Sequence, residues 1–155
     1  MKRKDRKRPV HLPTHERFNT ANIVFVTLCT KDRKRILARD ETHQLFRETW
    51  TLHTDWLVGR YVVMPDHVHF FCAPGVSPRV PLDRWIKRWK SHTARFWPDS
   101  ADAPVWQRHF WDRQLRRGES YAEKWSYVVN NPVRANLASQ TSEWPYQGEL
   151  NELQW

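Results

Sequence analysis

The sequence predicts an α+β domain of ferredoxin-like β-α-β-β-α-β order, in which an antiparallel sheet carries helices on one face. Four runs rich in β-branched and aromatic residues predict the strands, and amphipathic stretches between them predict the helices. A further C-terminal helix, which carries Tyr127, is predicted after the last strand. The 155 residues fit one such domain, and a content of 39% hydrophobic and 28% charged residues is typical of globular proteins.

The predicted strands cover residues 22–30, 56–63, 67–73 and 105–112. Met64-Pro65-Asp66, between the second and third strands, is a turn signal. Cys29 and Cys72 lie inside two of the apolar runs. This pattern favours buried thiols in a reducing compartment over a disulfide framework.

Three helices are predicted between and after the strands. Asp40 is a candidate cap for a helix over about 42–54. A second helix, over about 82–96, has one apolar and one basic stripe. Ser120-x-x-Glu123 is a capping-box signature, and it opens a helix that Pro132 is expected to end or bend.

The chain divides into three predicted segments. A basic arm and lead-in cover residues 1–20, the main domain covers 21–137, and a polar C-terminal tail covers 138–155. Neither a signal peptide nor an apolar span of membrane length is visible. We therefore expect a cytoplasmic, nucleoid-associated protein that contacts no membrane.

The formal net charge of +9 predicts a polyanionic partner, and nucleic acid is favoured because no basic amphipathic membrane helix is visible. The first eight residues hold six basic side chains and one Asp, which suits phosphate contacts without base specificity. The basic stripe of the second helix either lines a nucleic-acid stem or is an ordinary solvated face. The candidate DNA-binding residues are Lys2, Arg3, Lys4, Arg6, Lys7, Arg8, Arg84, Lys87, Arg88 and Arg95.

His67-Val68-His69 is the candidate metal-binding motif. Side chains alternate along a strand, so the two imidazoles share one face, about 7 Å apart at Cα, and can converge on one ion. The motif is weak alone, because two surface histidines give the same pattern. Asp66 is a candidate carboxylate for orienting an imidazole. Protonation of the histidines is expected to weaken metal binding as the pH falls toward about 6, near the ordinary imidazole pKa.

Tyr127 and Asn131 are four residues apart and fall on one face of a helix. If that face meets the histidines, Asn131 offers an amide oxygen to the same ion and Tyr127 presents its hydroxyl nearby. Two imidazoles and an oxygen suit Mg²⁺ or Mn²⁺, which would polarise a phosphate. Each residue also has a structural interpretation: Tyr127 as a core tyrosine, and Asn131 as the cap of a short helix over 132–137.

Three sequence blocks resemble the REP-associated tyrosine transposases, which are similar to the single-tyrosine transposases of insertion sequences in the HUH endonuclease superfamily. The blocks are VVMPDHVH at 62–69, WQRHFWD at 106–112 and YVVNNPVR at 127–134. Their order and spacing are more specific than any one block alone. The resemblance runs from about residue 18 to residue 146.

The resemblance implies that His67 and His69 bind the metal and that Tyr127 is the nucleophile. It implies that Asn131 is the third ligand, where the insertion-sequence branch usually has glutamine. The implied activity is metal-dependent nicking and rejoining of single-stranded DNA at stem-loops, as in DNA transposition and recombination, through a 5′-phosphotyrosine intermediate. A monomer that uses Tyr127 in cis is expected. The general base stays open between Asp66, Glu123 and water.

Three other functions fit parts of the sequence. A replication initiator or relaxase of the HUH superfamily would use the same chemistry, but no helicase or accessory region is present in this short chain. A non-catalytic ferredoxin-like module that binds nucleic acid predicts neither metal dependence nor a covalent adduct. A structural zinc protein is poorly supported, because two histidines without spaced cysteine pairs do not close a zinc site.

Overall fold

The computed structural model describes residues 23–75, 80–115 and 120–153. The strands are β1 (Val24–Cys29), β2 (Trp56–Val63), β3 (His67–Pro74), β4 (Trp111–Gln114) and β5 (Gln147–Glu149). The α-helices are α1 (Asp40–Leu52), α2 (Leu82–Arg95), α3 (Tyr121–Val129) and α4 (Asn131–Arg134). Short 3-10 turns occupy Lys31–Arg33, Ser100–Asp102 and Thr141–Glu143. The basic arm lies outside the described residues, so its role in DNA binding stays a prediction.

The five strands form one sheet in the order β4-β1-β3-β2-β5, and every neighbouring pair is antiparallel. This is the ferredoxin-like order that the sequence predicts, with β5 added beside β2. The predicted turn between β2 and β3 is present, because the Met64 amide donates to the His67 carbonyl at 2.8 Å. The predicted α+β fold is therefore confirmed.

One face of the sheet is covered by α1 and α2, and we call it the helix-covered face. Its core is mostly aromatic: the rings of Trp50 and Trp89 stack with centroids 5.4 Å apart, and Phe70 packs against both. All three side chains are at most 2% exposed. The strand residues buried on this face are Val24, Val26, Leu28, Trp56, Val58, Tyr61, Val63, Val68, Phe70 and Cys72.

The opposite face, which carries Thr27, His67, His69 and Phe71, we call the site face. The helix α3 packs here through Tyr121, whose ring lies 4.8 Å from that of Phe71. The Tyr121 hydroxyl also accepts a hydrogen bond from the Arg60 amide at 2.9 Å. Gly59 makes this approach possible, because a Cβ there would lie 2.7 Å from the Tyr121 hydroxyl.

The fourth strand is displaced from its predicted position at 105–112. The structure has β4 at Trp111–Gln114, and before it only an isolated bridge joins Trp106 to Thr30. Lys90 supplies the physical reason. Its ammonium donates to the carbonyls of Gln107 and Arg108 at 2.7 and 3.3 Å. These carbonyls therefore accept from a side chain instead of from the backbone of a neighbouring strand.

The start of α1 also differs from the prediction. The residue before α1 is Arg39, which makes no side-chain cap bond, and Asp40 is the first helical residue. The Asp40 carboxylate instead accepts from the Tyr146 hydroxyl at 3.1 Å. By contrast, the cap of α3 is confirmed, since the Ser120 hydroxyl accepts from the Glu123 amide at 3.2 Å.

The C-terminal segment packs onto the domain up to residue 153, although its composition suggested a polar tail over 138–155. Trp144 is 9% exposed, and its indole N–H donates to the Val63 carbonyl at 3.0 Å. β5 then pairs with β2. The apolar residues of this segment, Trp144 and Leu153, join the core of the site face.

Candidate active site

The strand register places both histidines on the site face. Thr27 on β1 is the cross-strand partner of His69, and Cys29 is the partner of His67. Side chains of directly opposed residues point to the same face. Both predicted metal-binding histidines therefore stand together, and their ring centroids are 4.7 Å apart.

His67 is oriented by its neighbour Asp66. The His67 Nδ1 lies 2.7 Å from a carboxylate oxygen of Asp66, and since that oxygen only accepts, Nδ1 carries the proton. This leaves Nε2 as a free electron-pair donor. Burial lowers the pKa of His67, although the Asp66 carboxylate partly opposes the shift.

Arg33 completes the surroundings of His67. Its Nε donates to Asp66 at 2.9 Å, and one Nη donates to the Cys29 sulfur at 3.0 Å. Burial raises the Asp66 pKa, but the hydrogen bonds from His67 and Arg33 outweigh it, so that the pKa is lowered. The second Nη of Arg33 lies 3.5 Å from the protonated His67 Nδ1, which leaves no acceptor for a hydrogen bond there.

His69 is held from the neighbouring strand. Its Nδ1 lies 2.7 Å from the Thr27 hydroxyl oxygen, and its ring stacks on Phe25 at 5.2 Å. Burial lowers the pKa of His69 to about 3, with smaller contributions from the charges of His67, Arg33 and Arg134. At both histidines the lowered pKa favours the neutral imidazole, which is the state that binds metal.

The paired imidazoles fit a divalent cation. Each Nδ1 has a partner in the protein, so both Nε2 atoms remain for an ion, an arrangement typical of metal-binding histidines. Within the parts of the chain that the structure describes, no group of three His, Cys, Asp or Glu side chains could hold an ion. A third ligand from the described residues would therefore be a group of another kind, such as an amide oxygen.

Arg134 connects the second pair of predicted site residues to this centre. Its guanidinium carbon lies 4.1 Å from the centre of the Tyr127 ring, and one Nη donates to the Asn131 amide oxygen. The positive charge of Arg134 also lowers the pKa of His69. Arg134 therefore contacts both Tyr127 and Asn131, and its charge also acts on the pKa of His69.

The two structural interpretations of Tyr127 and Asn131 do not hold. Tyr127 is 68% exposed, so it is not a core residue. The residue that caps α4 is Asn130, and Asn131 is the first residue inside that helix. The Asn131 side chain is bound to Arg134 instead of capping the backbone.

Tyr127 also differs from the other three of the four tyrosines in the chain. Tyr61 accepts from Arg47, Tyr121 accepts from the Arg60 amide, and Tyr146 donates to Asp40. The Tyr127 hydroxyl makes no hydrogen bond to any residue that the structure describes. Burial raises the pKa of Tyr121 to about 12, which makes that hydroxyl a poorer nucleophile.

The basic stripe of α2 is not brought together with these residues. α2 packs through Trp85, Ile86 and Trp89 on the helix-covered face, so its exposed residues point away from the sheet on that side. Arg88 lies 3.5 Å from the Asp55 carboxylate, and Arg95 lies over the Phe96 ring. A stem lined by Arg84, Lys87, Arg88 and Arg95 would therefore lie on the opposite layer from the histidines.

Three residues of this site were not predicted from the sequence. Thr27 has no local signal, because its contact with His69 spans 42 residues. Arg33 follows Asp32 in a turn where both residues have positive φ angles, of 54° and 57°. Arg134 lies in the third sequence block, and its spacing of three from Asn131 is the one signal that predicts a contact on a helix.

The fold and the paired histidines agree with a recognised class of proteins. The family model described as "Transposase IS200 like" matches residues 20–125 of this chain. The matched span covers more than half of the chain and includes both histidines, and it ends two residues before Tyr127. The chain belongs to the IS200-like transposase family.

The curated relatives of this chain are more narrowly described. A REP-associated tyrosine transposase of Escherichia coli K12 is 26% identical over 89 residues, which are 57% of this chain and 52% of that protein. A Haemophilus influenzae protein provisionally named a REP-associated tyrosine transposase is 22% identical over 143 residues, 83% of this chain and 80% of that protein. The match thus spans about half of the Escherichia coli protein.

Solved structures give the same fold. A REP-associated tyrosine transposase bound to a REP hairpin superposes with a TM-score of 0.68 at 19% identity, over 88% of this chain and 82% of that one. A provisionally named transposase from Deinococcus radiodurans gives a TM-score of 0.52 at 18% identity, over 77% and 97%. No helix in the described segments is long and apolar enough to cross a membrane.

Proposed function

We propose that this protein is a metal-dependent transposase of the REP-associated kind, which nicks and rejoins hairpin-associated single-stranded DNA through a 5′-phosphotyrosine at Tyr127. The observation that carries the proposal is the pair of imidazoles on the site face, whose Nδ1 atoms are held by Asp66 and Thr27. It is supported by Arg134, which contacts both the exposed Tyr127 ring and the Asn131 amide oxygen. We infer that the two imidazoles, Tyr127 and Asn131 act together as nucleophile and metal ligands. The hairpin partner is proposed from the related structure that is bound to a REP hairpin.

In this proposal His67 and His69 hold a Mg²⁺ or Mn²⁺ ion through their Nε2 atoms, and Asn131 adds its amide oxygen. The bound ion would supply Lewis-acid polarisation of the scissile phosphate. Asp66 keeps His67 in the required tautomer, and Thr27 orients the ring of His69, whose Nδ1 would carry the proton when its Nε2 binds the ion. Arg134 must release the Asn131 oxygen for that ligand to form.

The covalent step is a phosphoryl exchange. The Tyr127 oxygen bonds to the scissile phosphorus, the bond from phosphorus to the 3′ oxygen breaks, and the leaving strand end becomes a 3′-hydroxyl. The tyrosine proton passes to solvent, to which the Tyr127 side chain is open. Attack by a second 3′-hydroxyl reverses the exchange and frees Tyr127, and because each step replaces one phosphoester bond by another, no ATP is needed.

The proposal is tested with a labelled stem-loop oligonucleotide that has single-stranded flanks on both sides. Mn²⁺ is expected to give a protein–DNA adduct that survives a denaturing gel, and EDTA is expected to abolish it. Tyr127→Phe should bind the oligonucleotide as the wild type does but form no adduct, because the ring is exposed and its hydroxyl holds no other part of the described fold. Tyr146→Phe is the matched control and should retain the adduct.

Two results would overturn the proposal. An adduct formed by Tyr127→Phe would assign the nucleophile elsewhere. Wild-type protein that binds the oligonucleotide but forms no adduct with Mn²⁺ or Mg²⁺ would support a non-catalytic DNA-binding module instead.

A further inference from the structure

Trp111 stands on the same face of the sheet as the histidines. It is the first residue of β4, which is the outer strand of the sheet beside β1. Its cross-strand partner is Thr27, and Thr27 is in turn the partner of His69. Trp111, Thr27 and His69 therefore form one row across three neighbouring strands. Two inter-strand spacings of about 4.8 Å place the backbones of Trp111 and His69 about 10 Å apart.

The exposure of Trp111 has no explanation in packing. Half of its side chain, 50%, is open to solvent, whereas Trp50, Trp85 and Trp89 are at most 2% exposed. Leaving a large aromatic surface in water forgoes the stabilisation that its burial would give. An exposed aromatic ring that is part of a rigid strand is suited to binding a flat partner.

Among the described residues, the packing on the site face is centred on Phe71 and not on Trp111. The helix α3 covers the other part of the site face, where Tyr121 packs on Phe71 and bonds to the backbone of β2. The row from Trp111 to His69 lies toward the opposite, β4 edge of the sheet. Arg113, which is exposed and shares the face of Trp111, adds a positive charge at this edge.

We propose that Trp111 is a stacking platform for one unpaired base of the DNA strand that enters the site, next to the phosphodiester that is cut. This inference rests on the proposed function, and it assigns a binding site for a nucleobase. Unpaired bases expose a π-face whatever their identity, and stacking on an aromatic side chain is the common way in which proteins hold single strands. The net charge of +9 favours a polyanion over an apolar partner on this edge.

The first test compares DNA affinities in EDTA, where no cleavage interferes. The probe is a stem-loop oligonucleotide with single-stranded flanks, and binding is followed by fluorescence anisotropy at one fixed salt concentration. Trp111→Ala is expected to weaken binding about tenfold or more, in line with the loss of one base–aromatic stack. Trp111→Phe should retain most of the affinity, because a smaller π-face remains.

Two controls separate stacking from a general effect. Phe96→Ala removes an aromatic side chain that is 57% exposed at the end of α2, on the other layer, and should leave the affinity unchanged. On a stem-loop without flanks, Trp111→Ala should bind as the wild type does. Circular dichroism and thermal melting establish that each variant is folded.

The second test locates the base. Abasic nucleotides are placed one at a time along the two flanks, and one position should weaken wild-type binding as much as Trp111→Ala does. At that position the variant should lose no further affinity. The proposal is overturned if Trp111→Ala binds all probes as the wild type does, or if it loses equal affinity for stem-loops with and without flanks.

These outcomes are distinguishable from failure of the proposed function. If the wild type forms the Tyr127 adduct and Trp111→Ala binds normally, the stacking site is wrong and the nicking activity stands. If Trp111 acts only on flanked probes but no adduct forms with Mn²⁺, the stacking site stands and the nicking activity is wrong.

Discussion

The two faces of the sheet differ in what covers them, although the same strands build both. The helix-covered face is closed by α1 and α2, and side chains such as Trp50, Phe70 and Trp89 are fully buried there. Among the described residues, α3 and the C-terminal segment pack on the site face around Val62 and Phe71, whereas His67 and Trp111 remain partly exposed. On the first face the Trp89 indole is paired with the Thr49 hydroxyl within the core, whereas on the second face the Nδ1 atoms of both histidines have partners and their Nε2 atoms have none among the described residues.

Because side chains alternate along each strand, the same strands contribute a packed core to one face and polar side chains to the other. On the helix-covered face the Thr49 hydroxyl accepts from the Trp89 indole at 2.9 Å, so the polar atoms complete the packing. On the site face Thr27 and Asp66 each bind one Nδ1, so the polar atoms orient an imidazole instead. We therefore expect substitutions on the first face to change stability, and substitutions on the second to change metal and DNA chemistry.

The largest difference in the free energy of unfolding should appear between substitutions of two tryptophans. Trp89→Ala, which leaves a cavity in the helix-covered core, should lower the free energy of unfolding by about 3–5 kcal/mol. Trp111→Ala removes the same side chain from the site face and should cost less than about 1 kcal/mol, since half of it is already exposed. Urea titrations followed by circular dichroism measure both. Equal losses would mean that the two faces do not differ in this way.

The acid stability of the protein should depend on His69. An unfolded chain takes up a proton at this residue near pH 6.5, but burial lowers the pKa in the folded protein to about 3. Between these values the unfolded state binds more protons, so the free energy of unfolding falls as the pH decreases from about 6.5 toward 3. The slope from this group is at most about 1.4 kcal/mol per pH unit.

Denaturant titrations at several pH values measure this slope, and His69→Gln should show a shallower one. If His69→Gln keeps the wild-type slope, the pH dependence of stability does not come from the lowered pKa of His69. Because burial lowers the pKa of both His67 and His69, protons should compete with metal binding at a lower pH than they would at free imidazoles.

The next effect concerns the orientation of His67. Asp66→Ala removes the acceptor of its Nδ1 proton and should weaken Mn²⁺ binding about 10- to 100-fold, as loss of an outer carboxylate does at other metal sites. Asp66→Asn keeps an acceptor oxygen and should lose less. Asp55→Ala, which removes the partner of Arg88 on the helix layer, is the control and should bind Mn²⁺ normally. Isothermal titration calorimetry measures each affinity.

The smallest expected effect concerns Arg134. Arg134→Ala removes the contact on the Tyr127 ring and should slow adduct formation about three- to tenfold, which corresponds to the loss of one exposed cation–π contact or slightly more. The same variant removes a positive charge and frees the Asn131 oxygen, so Mn²⁺ should bind as tightly or more tightly. A variant that loses metal affinity and adduct formation together would argue for a structural role only.

The sequence predicts the parts of this protein that depend on local patterns. The bounds of β2 agree with the prediction, and the predicted turn, the paired histidines and the Ser120 cap are present, because alternation, turn chemistry and capping act over a few residues. The family resemblance is likewise confirmed by the comparison with known proteins.

Contacts between distant residues could not be predicted in this way. The displacement of β4 depends on Lys90, which binds the carbonyls of Gln107 and Arg108 from another element. The support of His69 by Thr27 depends on strand register, and the burial of Trp144 depends on a surface that exists only after the sheet has formed. None of these contacts can be predicted from the local sequence, because each depends on a residue that is brought near only when the chain has folded.

The proposed mechanism is tested most directly by identifying the residue that becomes linked to DNA. Wild-type protein is incubated with Mn²⁺ and the flanked stem-loop oligonucleotide, the adduct is digested with protease and nuclease, and the nucleotide-bearing peptide is sequenced by mass spectrometry. We predict a phosphodiester link on Tyr127. A link on Tyr61, Tyr121, Tyr146 or any other residue would contradict this prediction.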